Sequence, residues 1–261
     1  MYGTDAYSPE EIAEQIEEVG VRKANLPLLK MSALGVLAGG FIALGAMFFT
    51  VVVSDQYLSF ALARVIGGVA FSLGLILVVI AGAELFTGNN LLVIAWVHGR
   101  IPTTLLLRNF GVVFLANFAG SLVVVGLVYV SGHLKLNGGA VGETAVAIAL
   151  AKVQLPAMEA FFRGILCNIL VCLAVWLAAA GRQVVNRILA IVFPITAFVA
   201  CGFEHCVANM YFIPLGMLCA PETVTWGGLL ANLVPVTLGN LVGGAGLVGL
   251  VAFVIYRRGV E

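Results

Sequence analysis

Hydrophobic positions in this chain gather into six long runs rather than into the alternating faces of a soluble fold. They lie near residues 28–53, 64–97, 104–130, 156–180, 188–217 and 229–256. Each reaches the roughly 20 residues that one crossing of a bilayer needs. The second and fifth are too long for a simple span and carry polar residues in their middles. A different pattern precedes them. Ser8 is placed to cap a short helix, Pro9 to occupy its first turn, and Gly20 to end it. Ile12, Ile16 and Val19 share one face of that helix, and this face is expected to pack beneath the membrane domain. Between the third and fourth runs comes a polar loop with Asn137-Gly138-Gly139, then a short interfacial helix over 142–152. Three regions result: an N-terminal segment (1–27), a six-span domain (28–256) and a tail (257–261).

Composition sharpens this picture. The 261 residues are 62% hydrophobic and only 10% charged, against about 25% charged in soluble domains. No basic cluster is interleaved with aromatic residues, so nucleic acid is not expected as a partner. The first apolar run follows an acidic, Pro-containing stretch, which is not the pattern of a cleaved signal peptide. Five cysteines, an odd number without a C-x-x-C pair, read as small buried hydrophobes. Arg22, Lys23, Lys30, Arg100, Arg108, Arg182, Arg187, Arg257 and Arg258 fall on one side of the six-span layout. Only Arg64, Lys135, Lys152 and Arg163 fall on the other, which places both termini in the cytoplasm of a bacterial or archaeal inner membrane. Glycine is abundant within the spans, among them Gly35, Gly39, Gly239 and Gly243. Small residues let helices approach closely in lipid, so a tight bundle and an oligomer are expected.

The chain also repeats itself. Gly82-Ala83-Glu84-Leu85-Phe86-Thr87-Gly88-Asn89 aligns with Gly202-Phe203-Glu204-His205-Cys206-Val207-Ala208-Asn209, and Asn117-Phe118-Ala119-Gly120 with Asn240-Leu241-Val242-Gly243. The unit holds three spans, an odd number, so the second copy enters the membrane the other way up. The fold class is therefore an all-α membrane protein with a 3+3 inverted repeat and broken second and fifth helices. Irregular backbone at membrane depth is tolerated only inside protein or along a water-filled cavity. The two breaks are thus expected to face each other across one pathway, with half-helix N-termini turned toward an anion.

Ionisable groups inside a bilayer are costly and mark function, which singles out His205, Glu204 and Glu84. Cys201, Glu204, His205 and Cys206 do not have zinc-ligand spacing, so neither metal nor cofactor is expected. Glu159 and Arg163 are four residues apart and are expected to pair with each other; His98 and His133 sit in loops without an assigned role. No nucleophile–base or paired-carboxylate set appears, which argues against an enzyme. No nucleotide-binding G-x-x-x-x-G-K-[ST] appears, which argues against an energy-coupled exporter. A neutral-solute channel remains a rival, although neither Asn89 nor Asn209 is followed by the proline of an N-P-A box.

These motifs, together with Phe71-Ser72-Leu73-Gly74-Leu75, Gly164-Ile165-Leu166-Cys167-Asn168 and Gly202 through Met210, resemble the formate/nitrite transporter family over nearly the whole chain. The resemblance implies an aquaporin-like homopentamer embedded in lipid, with one pore per protomer. It implies that His205 is the protonatable pore residue, with Thr87 as its partner and Asn168 sharing the patch. Leu75, Leu85 and Phe86 would form the cytoplasmic constriction; Phe71, Val171 and Phe198 the periplasmic one. Lys23 and Lys152 would draw anions to the two mouths, and Glu84, Asn89, Glu204 and Asn209 would anchor the breaks. The permeant would be a small monovalent anion: formate, with nitrite and hydrosulfide as alternatives. Ile213-Pro214-Leu215-Gly216 resembles the formate branch, whereas Thr87-Gly88 is shared with the nitrite branch. Desolvation between the constrictions would raise the anion's proton affinity, and His205 would protonate or pair with it.

Overall fold

The computed structural model describes residues 6–259; expectations for the first five and last two residues lie outside that range. Helix α1 spans Pro9–Ala24. Ser8 Oγ accepts the Glu11 N–H (3.2 Å) and the Glu11 carboxylate accepts the Ser8 N–H (2.7 Å), a reciprocal cap. Gly20 does not end this helix, contrary to the sequence expectation. Its bare Cα lies against Ala95 and Leu92, so the glycine serves close packing. The stop comes at Asn25, two residues before Pro27. Ile12 and Ile16 are buried against Leu91, Ile94 and Val248.

A buried ion cluster secures α1. Glu17 is inaccessible to solvent, and its carboxylate meets His98 Nδ1 (2.8 Å), Arg100 (3.2 Å) and Arg257 (2.7 Å). Burial opposes its charge, but the hydrogen bonds from His98, Arg257 and Arg100 prevail and hold the carboxyl below its ordinary range. A depressed carboxylate stabilises the fold above its unfolded value of about 4.3, and that contribution fades as pH falls through the folded value. Glu17→Ala removes a buried carboxylate from partners that are themselves partly exposed, so it is expected to cost about 1–3 kcal/mol near pH 7. Limited proteolysis within α1 at pH 7 should accelerate strongly in the variant and converge with wild type below pH 4.

Among the described residues, five helices are long and apolar enough to cross a membrane: α2 (Leu28–Val53), α3 (Phe60–Ala81), α5 (Thr103–Val130), α7 (Ala157–Ala180) and α10 (Trp226–Tyr256). Three shorter apolar helices complete the bundle: α4 (Phe86–Val97), α8 (Val184–Ala200) and α9 (Cys206–Cys219). Helix α6 (Ala140–Val153) follows the Asn137-Gly138-Gly139 turn and begins two residues earlier than its polarity suggested. The expected second run divides into α3 and α4, the fifth into α8 and α9. Helices α2 and α5 touch backbone to backbone: a Cβ on Gly39 would collide with the Asn117 carbonyl, and one on Gly120 with that of Val36. Helices α7 and α10 make the same contact through Gly239 and Gly243 against the carbonyls of Phe161 and Ile165. Lipid supplies little apolar drive for helices to associate, so such close approach carries the packing.

Both breaks start identically. Gly82 and Gly202 each adopt φ +73°, a left-handed conformation that costs glycine little. The following backbone is held by a polar frame that occurs twice. Asn117 Oδ1 accepts the Phe86 N–H (2.9 Å), while its amide donates to Gly35 O (2.8 Å) and Glu84 O (2.9 Å). Asn240 Oδ1 accepts the Cys206 N–H (2.9 Å), while its amide donates to Gly164 O (2.8 Å) and Glu204 O (3.0 Å). The Glu84 N–H reaches Leu34 O and the Glu204 N–H reaches Arg163 O, both at 3.2 Å. Each break thus finds inside the protein the partners that lipid cannot offer.

Candidate functional site

Two carboxylates extend the frame. Glu84 accepts from Asn89 Nδ2 (2.7 Å) and pairs with Lys23 (3.2 Å). Glu204 accepts from Asn209 Nδ2 (2.7 Å) and pairs with Lys152 through both oxygens (2.9 and 3.0 Å). Behind them, Asn109 Oδ1 accepts from Asn89 (2.9 Å) and Asn232 Oδ1 from Asn209 (2.7 Å). Glu84, Asn89, Glu204 and Asn209, the four residues expected as anchors, thus lie together in this frame, two at each break. Lys23 and Lys152 each line a cavity, but both are bound to buried carboxylates. The two frames differ at the anchoring asparagine: Asn89 Oδ1 accepts from Lys23 (2.9 Å), whereas the buried Asn209 Oδ1 has no partner among the described residues.

The breaks meet where Thr87 Oγ1 lies 2.9 Å from His205 Nε2. His205 is the N-cap of α9, and its Nδ1 accepts the Ala208 N–H at 3.0 Å. Nδ1 is therefore the unprotonated nitrogen, and the neutral ring carries its proton on Nε2. Nε2–H donates to Thr87 Oγ1, which leaves the threonine hydroxyl proton for a third group. A doubly protonated ring would have to give up the Ala208 bond and sit at the positive end of a helix. The Thr87 carbonyl is held from α7 by Asn168 Nδ2 (3.3 Å) and Cys172 Sγ (3.4 Å). Asn168 also donates to Asn90 Oδ1 (2.8 Å) and Asn240 O (2.7 Å). It acts on the site through the backbone of Thr87.

Two separate cavities approach this junction. One, about 230 Å³, is lined by Arg64, Phe71, Lys152, Arg163, Phe198, Glu204 and His205. Phe198 stacks on the imidazole (centroids 5.9 Å apart), and Phe71 meets Phe198 edge-on at 5.5 Å. The other, about 280 Å³, lies beside α1 and is lined by Lys23, Leu75, Leu85, Gly88, Asn89 and Arg187, among others. Along α3, Arg64 and Phe71 line the first cavity and Leu75, Val78 and the following Gly82 the second, so the two lie at successive levels of that helix.

Several expected residues fall elsewhere. Phe86 lines neither cavity; its ring packs edge-on against Phe110 (5.8 Å) and Phe114 (5.1 Å). Val171 is buried in the apolar core, also outside both linings. Cys167, Cys172 and Cys206 are buried as expected, but Cys201 is exposed at the end of α8. Glu159 and Arg163 do pair, at 2.8 Å. His98 has a place in the Glu17 cluster. Sequence reasoning missed Arg64, whose guanidinium donates to Val199 O (2.6 Å) and Ala200 O (3.2 Å) at the end of α8. It also missed Asn109 and Asn232, although each precedes the frame asparagine of its own helix, Asn117 or Asn240, by eight residues.

Comparison with known proteins gives one answer. Residues 10–254 match the sequence profile described as formate/nitrite transporter. The chain is 41% identical to the formate channel FocA of Haemophilus influenzae, over 94% of this chain and 93% of that one. It is 39% identical to FocA of Escherichia coli K12, over 97% and 96%. A solved structure described as a pentameric formate channel with formate bound superposes with a TM-score of 0.82 at 36% identity, over 88% of this chain and 98% of that one.

Proposed function

The chain belongs to the formate/nitrite transporter family, and from that premise we propose that it conducts formate through each protomer of a homopentamer. The path runs from the α1-side cavity, between the two helix breaks, to the opposite cavity. The loop charges put α1 and both termini on the cytoplasmic side of the inner membrane. The observation that carries this reading is the 2.9 Å contact between Thr87 Oγ1 and His205 Nε2. It is the polar point where the two breaks join, with apolar side chains on either hand.

A bare carboxylate pays several kcal/mol to leave water. At the junction it meets the Thr87 hydroxyl proton, left free because Thr87 Oγ1 accepts the His205 Nε2–H, so that the two groups act as one donor relay in a dry constriction. They replace part of its hydration while holding it weakly enough to release, as conduction requires. Leu75 and Leu85 on one side, and Phe71 and Phe198 on the other, keep bulk water away. A cationic His205 would bind the anion more firmly and would lose its cap on α9, so anion current falls as the ring protonates. Nitrite and hydrosulfide have the size and charge to use the same donors and are the alternative permeants.

The test is stopped-flow flux in proteoliposomes with formate, nitrite, hydrosulfide and glycerol. Formate is expected to cross well above protein-free vesicles, with glycerol indistinguishable from them. Glycerol flux without anion flux would replace this reading with a neutral-solute channel.

A further inference from the structure

We infer that Arg64 and Arg187, rather than Lys152 and Lys23, supply the charge that draws anions into the two mouths; the inference rests on the channel reading above. The lysines are the obvious candidates, since each lines a cavity. Each is nevertheless neutralised at contact. Lys152 Nζ lies 2.9 and 3.0 Å from the two oxygens of Glu204, and Lys23 Nζ lies 3.2 Å from Glu84. An approaching anion therefore meets a dipole, whose field falls off much faster than that of a single charge. Arg163 is likewise matched by Glu159 at 2.8 Å.

The arginines are different. Arg64 lines the cavity that holds His205. Its Nε and Nη2 donate to the neutral carbonyls of Ala200 and Val199. Its Nη2 sits 3.2 Å from where a Cβ on Gly202 would lie, so the guanidinium is fixed at the edge of the second break. Arg187 lines the α1-side cavity, and its Nε donates to Gly181 O at 2.9 Å. Neither arginine has a carboxylate within ion-pairing distance among the described residues. Both keep guanidinium N–H groups beyond those carbonyl bonds. Once the paired charges cancel, one positive charge is left in each mouth, held in place by backbone carbonyls. Charge placed in a cleft with low-dielectric walls raises the local concentration of counter-ions and their rate of entry.

Formate currents in planar bilayers test this, with Arg64→Gln, Arg187→Gln and Arg64→Lys compared with wild type. In about 20 mM salt, Arg64→Gln is expected to reduce the current carried by formate entering from its own mouth about three- to tenfold. Arg187→Gln should do the same at the α1-side mouth. Both deficits should shrink below about 1.5-fold in 1 M salt, where screening acts within about 3 Å. Arg64→Lys should restore most of the loss. A deficit in Arg64→Gln that persists at high salt would make Arg64 a mere cap on α8 and overturn the inference, as would the absence of any deficit in either variant. If Arg64→Gln does not assemble, Arg187→Gln decides alone, because its carbonyl partner lies outside the breaks. A wild-type protein without formate current would overturn the channel reading itself, before any variant is compared.

Discussion

Proteoliposomes carrying His205→Phe are expected to show formate flux about tenfold or more below wild type at pH 7, the effect of losing a hydrogen bond to a charged permeant worth about 1.5–3 kcal/mol. The residual flux should also be independent of pH, after subtraction of protein-free vesicles. Phenylalanine can take the place of the ring stacked on Phe198, so packing survives. It removes the Nε2–H that meets Thr87 and the Nδ1 that caps α9. The lost cap costs about 1 kcal/mol, too little to unfold the chain, and size-exclusion chromatography should find the assembly unchanged. Wild-type flux should instead decline once the pH is low enough to charge the ring, a step that costs the Ala208 bond at the start of α9. His98 and His133 do not line either cavity, so neither substitutes for it. A His205→Phe protein that kept the wild-type pH profile would remove His205 from the conduction step.

Asn240→Leu is expected to be the most destabilising substitution in the membrane domain. Leucine matches asparagine roughly in volume but leaves the Cys206 N–H and the Glu204 carbonyl, both in irregular backbone, without their partner, and removes the second donor from the helical Gly164 carbonyl. Each orphaned buried group costs about 1–3 kcal/mol, together a large share of the roughly 5–15 kcal/mol that holds a typical fold. Melting in detergent should fall by at least about 6 °C, since 1 kcal/mol corresponds to about 2–4 °C at this chain length. Asn117→Leu should match it, because that side chain makes the corresponding three bonds at the first break. Leu247→Ala, half exposed on α10, serves as the control and should change little. An Asn240→Leu protein that melted with wild type would mean that the break is held by something other than this frame.

Much of this architecture could be read before any coordinates. The six apolar runs, the two breaks and their shared anchors follow from a polar pattern that occurs twice at one offset, which chance rarely produces in so apolar a chain. What stayed hidden depended on contacts between distant segments. A lysine at a pore mouth reads as an attractor until its carboxylate partner is seen: Glu84 lies 61 residues after Lys23, and Glu204 lies 52 after Lys152. Glu17, His98 and Arg257 look like unrelated surface residues because α1 brings them together only on docking. Gly20 reads as a helix stop because sequence cannot distinguish a terminating glycine from one that admits a neighbouring helix. Phe86 belongs to the right motif, but the turn of α4 aims its ring at α5 instead of at the passage.

The divergence between the two halves is where function enters. At equivalent positions the first break has Leu85 and Thr87 and the second has His205 and Val207. One break brings the imidazole, the other the hydroxyl, and neither half holds both. A duplicated scaffold thereby acquires a single polar contact at its centre, while Asn168 and Cys172 steady the backbone of Thr87 from α7.

A double-mutant cycle of Thr87→Val and His205→Phe, read as formate flux at pH 7, tests most directly whether the two breaks form one site. The combined variant is expected to lose no more flux than His205→Phe alone, because either substitution dismantles the same donor relay. Losses that multiplied would mean that Thr87 and His205 act independently, and would contradict a pathway organised around their contact.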